Sequence, residues 1–433
     1  MTITVDGLVT RPGTMSWGRL YTSVSVFLLG ALALVAPTGY SYGSVLLLLG
    51  SAGLLVSRPP MHVNREDRVM IVTLMGYGLL AMGFAWIGGE GVRGFDKPLR
   101  FLLAAPIGLL ILAYPPKLSW LWCGMAVGAV GAGILSGWEK LIADVPRPGG
   151  FGQPIQFGNI GMLMGVLCLS GLGWAVVQKR RRWWVGLLIL GAVGGFLASI
   201  FSGSRGGWVG LPLMLVVLYC AYGREISAWC RIVAVGAIVG LFLLVWAIPQ
   251  IGVQHRVERA VSEIQLYISG EQLTSSIGNR FEMWRGAGHL FVEKPLLGWG
   301  DEKYRQAMKQ LADEGVIQPK AASYGHAHNE FVDHAAKHGV IGLLAIIGLY
   351  GVPIVLFWPG LKAKSSDTRA LAAAGMTVSV GFIGFSLTQG MMSHNSGAMV
   401  YAFWLATFWG CYSASMHHSS LPGALHQATR DSV

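Results

Sequence analysis

Charge is what this chain has least of. Charged residues fill 12% of its 433 positions, about half the roughly 25% of a soluble globular domain, which argues against a water-soluble fold. Cysteine is scarce as well: Cys123, Cys168, Cys220, Cys230 and Cys411 lie in or beside apolar runs without any paired spacing. That pattern speaks against a disulfide framework, and the five read as small hydrophobes. Internal repeats and paired charges in the middle of apolar runs, which a transporter or flippase would be expected to show, are missing too. The chain is rich instead in apolar residues, at 53%, with a mean hydropathy of +0.54.

Apolar runs of about 18 residues or more, enough to cross a hydrocarbon core of about 30 Å, recur along it. Twelve spans are predicted, at about 21–37, 40–57, 68–88, 101–114, 118–137, 157–177, 183–201, 208–222, 232–249, 339–358, 370–390 and 398–416, which makes this an all-α polytopic membrane protein. The first run follows Arg11 and Arg19 as in a signal peptide, yet no small-residue cleavage site ends it, so it reads as an uncleaved helix. Basic residues in the short loops set the orientation. With the N-terminus inside, sixteen of them fall on the inner side, including the tetrad Lys179-Arg180-Arg181-Arg182, and six on the outer side. Both termini are therefore expected inside. The expected organisation is nine spans over 1–249, an outward loop over 250–338 that carries the active site, three spans over 339–416, and an inner tail over 417–433.

The six outer basic residues are Arg93, Lys97, Arg100, Lys140, Arg147 and Arg205. Arginines at helix ends ordinarily reach for lipid phosphates, which accounts for Arg93, Lys97 and Arg100. Arg147, in Val145-Pro-Arg-Pro-Gly-Gly150, is stiffened and exposed by its prolines and glycines. Arg205 lies in Phe201-Ser-Gly-Ser-Arg-Gly-Gly-Trp208, between two spans with almost no loop. Small residues there let backbones approach and offer amides and hydroxyls, a lining suited to an anion.

Three helices are predicted in the large loop. His255 to Ile268 is amphipathic, with Val257, Ala260, Val261, Ile264 and Ile268 as its stripe. Asn279 to Val292 follows the capping segment Thr274-Ser-Ser-Ile-Gly278 and sets Arg280, Trp284 and Ala287 on one face. After the tight turn at Gly298-Trp-Gly300, Asp301 to Glu314 reads as a charged, solvated helix. Then comes a segment with four of the eleven histidines, at His326, His328, His334 and His338. A helix starting near Asn329 puts Glu330, His334 and His338 on one face, which suits residues at a membrane interface. His326 and His328 precede that helix. Their H-x-H spacing fits a metal pair, but no cysteine cluster or facial carboxylate pattern accompanies it. A neutral imidazole at an apolar lip with arginines nearby suits a general base.

Taken together these segments resemble the O-antigen ligase and O-antigen polymerase superfamily of membrane glycosyltransferases. The resemblance rests on Ser202-Gly-Ser-Arg-Gly-Gly207, on Arg280 with Trp284 and Ala287, on Pro295-Leu-Leu-Gly-Trp-Gly300, and on His326-Ala-His-Asn-Glu-Phe331 followed by Gly339-Val-Ile-Gly342. Phe331 stands where the family's H-x-x-L element has Leu. The resemblance implies a GT-C-like fold in the bacterial inner membrane, with about twelve helices and a large helical periplasmic loop between spans 9 and 10. It implies transfer of O-antigen from undecaprenyl pyrophosphate to lipid A-core oligosaccharide, in lipopolysaccharide biosynthesis. No cofactor, metal or nucleic acid is expected, and membrane lipids surround the protein.

The roles expected on that basis divide between arginines and histidines. Arg205 and Arg280, supported by Arg147, hold the pyrophosphate, since guanidinium forks match phosphate oxygens. His328 deprotonates the acceptor hydroxyl, with His326 or a carboxylate such as Glu330 or Asp333 orienting it, although the family's catalytic histidine is either His326 or His328. Asn329, Glu330, Trp284 and His338 are supporting residues. Direct attack opposite the leaving group inverts the anomeric carbon, and no carboxylate pair argues for a glycosyl-enzyme intermediate. An O-antigen polymerase or a protein O-oligosaccharyltransferase of the same superfamily is the alternative reading, and a lipid-linked glycan flippase is the alternative from another class.

Overall fold

The computed structural model describes residues 16–224 and 253–419. The ninth predicted span, the first fifteen residues and most of the tail lie outside them. Every regular element among the described residues is helical. In chain order the principal helices are α1 (Trp17–Ala31), α2 (Tyr42–Ser57), α3 (Arg65–Ile87), α4 (Asp96–Ala113), α5 (Leu118–Leu141), α6 (Pro154–Ser170), α7 (Arg181–Ser202) and α8 (Gly206–Tyr222). They continue with α9 (Val253–Ile268), α10 (Ser276–Glu293), α11 (Asp301–Asp313), α12 (Glu330–Phe357), α13 (Ser366–Ser386) and α14 (Asn395–Ser419). Among the described residues, seven helical stretches are long and apolar enough to cross a membrane, and α8 is a shorter apolar helix.

Sequence explains where these helices start and how they pack. Asn64 and Asp67 form a reciprocal capping box at α3, and Ser16, Ser275 and Ser365 cap α1, α10 and α13 through their hydroxyls. Helix α6 is apolar nearly all round and buried from Gln156 to Cys168, as expected of an element at the centre of a bundle. Helices α5 and α7 touch through small residues: a Cβ on Gly194 would lie 2.6 Å from the Ala129 carbonyl oxygen. Cys123, Cys168, Cys220 and Cys411 are free thiols, in keeping with a role as packing residues.

The polar excursion forms a small helical layer with its own core of Ala287, Leu290, Tyr304, Ala307, Met308 and Leu311. Helix α11 corrects one expectation. Its charges conceal a stripe at Tyr304, Ala307, Met308 and Leu311, all buried, so the helix is amphipathic and docks on its neighbours. A second correction concerns α10, which begins at Ser276 under the Ser275 cap. Asn279 therefore sits inside the helix, with its amide donating to the Thr274 carbonyl, and Arg280 lies in the second turn, away from the free N-terminal amides.

Helix α12 begins under Asn329 and kinks at Gly339, which adopts φ 64° and ψ −161°. The kink is the docking point of the Pro295–Gly300 turn. Trp299 N donates to Ala336 O, Gly300 N to Lys337 O, and Val340 N to Pro295 O. Gly298 runs with φ 65° directly against the Lys337 backbone, where any Cβ would collide. That turn clamps the polar start of α12 to its apolar continuation.

Candidate active site

The segment before α12 is held at one residue. Ala327 N donates to Asp333 Oδ1 at 2.9 Å, and Ala327 O accepts from Trp284 Nε1 at 2.9 Å. With the backbone fixed between them, the His326 and His328 rings lie 4.2 Å apart between centroids. His328 adopts φ 51°, a left-handed conformation rare for a residue with a Cβ and one that tends to persist only where its surroundings enforce it. Asn329 Oδ1 caps the helix, accepting from Phe331 N and Val332 N. Behind this turn, Lys337 Nζ bridges Asp301 at 2.7 Å and Asp333 at 2.8 Å and donates to Gly325 O. Burial acts to raise the Asp301 carboxyl, but Lys337 overrides it and holds the group down at about 2.

His328 Nδ1 lies 2.8 Å from Gln389 Oε1. An amide oxygen only accepts, so Nδ1 carries the proton and Nε2 keeps a free lone pair. Burial and the charge of Arg280 push the imidazole below its ordinary value, partly offset by the Gln389 bond. Burial, with His328 alongside, takes His326 down to about 4. Both rings are thus neutral at pH 7.

Arg205 reaches the same place from another part of the chain. It occupies the N-cap position of α8, in a turn tightened by Ser204 N donating to Ser202 Oγ and by Ser204 Oγ donating to Asn159 Oδ1 at 2.7 Å. Gly206 is flush against Asn159 and Thr388, a Cβ there lying 2.7 Å from Thr388 Oγ1. Thr388 is the chain neighbour of Gln389, the partner of His328, so the Arg205 turn and the histidine meet on consecutive residues. Arg147 Nε stands 4.0 Å from the Cβ position of Gly203 in that turn. Arg280 is one turn before Trp284 on α10, and burial together with the neighbouring Arg205 charge lowers its guanidinium. Among the described residues none of these three arginines has a carboxylate partner.

Trp284 and Asn329 thus frame the histidine turn, whereas Glu330 and His338 do not reach it. The Glu330 carboxylate accepts from the Met391 and Met392 amides and Ser386 Oγ, fixing the 387–394 loop from within. His338 stacks 4.7 Å from Phe84 between centroids and lies 3.8 Å from Asp301, lining a separate cavity of about 420 Å³. Its lining includes Arg93 and Arg305, whereas Arg147, Arg205, Arg280 and the His328 ring lie outside it. Gln389, His394 and Asn159 complete the site and carry no sequence signal, since the first two fall at a predicted span end and Asn159 sits inside an apolar run. The described residues contain no group of three or more His, Cys, Asp or Glu able to hold a metal.

Fold and site together define a polytopic helical membrane protein whose polar helical layer carries a cluster of arginine and histidine side chains. Residues 190–347 match the family model described as O-antigen ligase, a stretch from α7 to α12 that includes Arg205, Arg280, His326 and His328. The chain is 26% identical over 383 residues to a protein of Haemophilus influenzae strain Rd described as "Uncharacterized protein", covering 87% of this chain and 94% of that one. It is 23% identical over 229 residues to the O-antigen ligase of Escherichia coli K12, covering 52% of this chain and 51% of that protein. These matches support the O-antigen ligase family for this chain.

Proposed function

We propose that this protein is an O-antigen ligase. It transfers glycan from undecaprenyl pyrophosphate to a hydroxyl of lipid A-core oligosaccharide at the periplasmic face of the inner membrane. The observation that carries the reading is the meeting of unpaired Arg205 and Arg280 with the free Nε2 of His328. Unpaired guanidiniums beside a neutral imidazole are what transfer from a pyrophosphate requires. The arginines hold the diphosphate and take up the charge that grows on it as the glycosidic C–O bond breaks. His328 Nε2 removes the acceptor proton as the hydroxyl oxygen forms its bond to the anomeric carbon. Attack from the face opposite the diphosphate inverts that carbon. The proton ends on the imidazole and the electron pair on undecaprenyl pyrophosphate, so the step balances without a metal.

Purified protein given carrier-linked glycan, excess chelator and separate acceptors tests this. Product on lipid A-core oligosaccharide, undiminished by chelation, is expected. Product only on a second carrier-linked glycan makes the protein a polymerase, and product only on a polypeptide makes it a protein O-oligosaccharyltransferase. Loss of product on chelation, rescued by a divalent ion, would promote His326 and His328 to metal ligands.

The same reading fixes a topology of twelve spans, with the large loop periplasmic between the ninth and tenth. Single cysteines at positions 180 and 280 in a cysteine-free background report it, using an impermeant thiol reagent on intact spheroplasts. Labelling at 280 and protection at 180 are expected from the basic bias of the inner loops. The reverse pattern overturns the orientation and the site's location with it.

A further inference from the structure

A second cavity, of about 330 Å³, opens beside the candidate active site. It lies between the loop after α1, the Gly149–Gln153 segment, the first turns of α6 and the Ser393–Ser396 turn. No Asp, Glu, Lys or Arg lines it among the described residues. Its walls are aromatic and aliphatic at Phe151, Phe157, Tyr40 and Ile160. Gln156 is among its lining residues, only 3% exposed, and its Nε2 and Oε1 both lack a partner among the described residues. An orphaned amide in so buried a place calls for an explanation, because leaving both its donor and its acceptor unmet is costly. His394 also lines this cavity, and its Nε2 lies 3.1 Å from Gln389 Nε2, the amide whose oxygen meets His328. The cavity is therefore two hydrogen bonds from the proposed base.

We infer that this cavity binds a single uncharged sugar ring, held by the amide of Gln156. The inference rests on the ligase reading and adds a saccharide subsite to it. A sugar hydroxyl donates and accepts at once, so adjacent hydroxyls satisfy Oε1 and Nε2 together. The C–H face of the ring packs on the aromatic walls. An isoprenoid tail would leave the amide unmet, and a diphosphate would find no cation among the lining residues. The volume falls at the lower end of ligand cavities, roughly 300–1,000 Å³, which suits a ring and excludes a long glycan. The ring belongs either to the reducing end of the donor glycan or to the acceptor oligosaccharide, and kinetics separates the two.

Gln156→Met keeps the length and removes both polar atoms. In the full-length purified protein it is expected to raise KM for one of the two substrates by roughly tenfold or more, with kcat nearly unchanged. The substrate whose KM moves is the source of the ring. Phe151→Ala, at the mouth of the cavity and 57% exposed, is expected to shift the same KM. Unchanged KM values for both substrates in Gln156→Met overturn the inference and leave the amide to bound water. If that variant fails to fold, unchanged values in Phe151→Ala do the same. Calorimetric titration with the water-soluble oligosaccharides released from donor and acceptor separates this inference from the ligase reading. Binding by wild type that Gln156→Met weakens, in a protein that gives no product with the intact lipid-linked donor and lipid A-core acceptor, sinks the ligase reading and keeps the subsite. Binding that the substitution does not alter sinks the subsite alone.

Discussion

His328→Ala is expected to lower glycan transfer by about 10²–10⁴-fold, the usual cost of losing a general base, while donor binding stays near wild type. The substitution removes the Nε2 lone pair and the Gln389 contact but no cation. It also leaves the fold nearly untouched: Ala keeps the Cβ, so the strain at φ 51° is the same, and Ala327 stays pinned by Asp333 and Trp284. His338→Ala should cost far less in rate, since that ring packs on Phe84 away from the arginines. An inactive His338→Ala beside an active His328→Ala would reverse the assignment. The pH profile gives an independent reading. A base works in its neutral form, and burial with Arg280 nearby holds His328 below its ordinary value. The acid limb of kcat/KM in wild type therefore lies below the usual histidine range. In Arg280→Gln a repelling charge is gone, the imidazole protonates more readily, and the limb moves to higher pH.

The helices were legible in the sequence because an apolar run long enough to span a bilayer has no other stable form there. The start of α12 was legible for a local reason as well, Asn329 standing just ahead of an acidic first turn. Helix α11 was misread because its charges outnumber its stripe, although Tyr304, Ala307, Met308 and Leu311 carry the helical period. Helix α10 was entered one turn late, because the capping segment Thr274-Ser-Ser-Ile-Gly278 offers more than one cap and only the geometry chooses Ser275. In the site, sequence singled out titratable groups outside apolar runs, namely Arg147, Arg205, Arg280, His326 and His328. It could not supply the neutral residues that bring them together. Gln389 and Thr388 join the histidine to the Arg205 turn from the end of α13, and Asn159 holds that turn from inside α6. Amides and hydroxyls at span ends have no periodicity and no charge to mark them, and their partners are more than 40 residues away in the chain. Pairing of this kind becomes visible only with the fold. Glu330 shows the converse: beside the histidines in sequence, it turns away from them to bind the amides of Met391 and Met392.

Arg205→Lys and Arg280→Lys are each expected to weaken use of the lipid-linked donor by roughly 10–100-fold, the range for losing a hydrogen bond to a charged group. The double variant should be little worse than the weaker single. Lysine keeps the charge and loses the paired N–H donors that match a diphosphate. Arg280 does not draw on the N-terminal amides of its helix, since it lies in the second turn of α10. Its contribution is then its own guanidinium. Burial and, after it, the like charge of Arg205 depress the Arg280 guanidinium, and neither arginine has a carboxylate neighbour among the described residues. Two cations held together with no anion between them are a poor arrangement when empty. A dianion bridging them relieves the repulsion and uses both forks, so the pair acts on one group. Residues that share a partner couple strongly, which is why the two losses should fail to add. The contrary case is that each arginine anchors its own helix end to lipid phosphates. Lysine would then serve as well at both positions, and a double-mutant cycle on donor KM would return simple additivity.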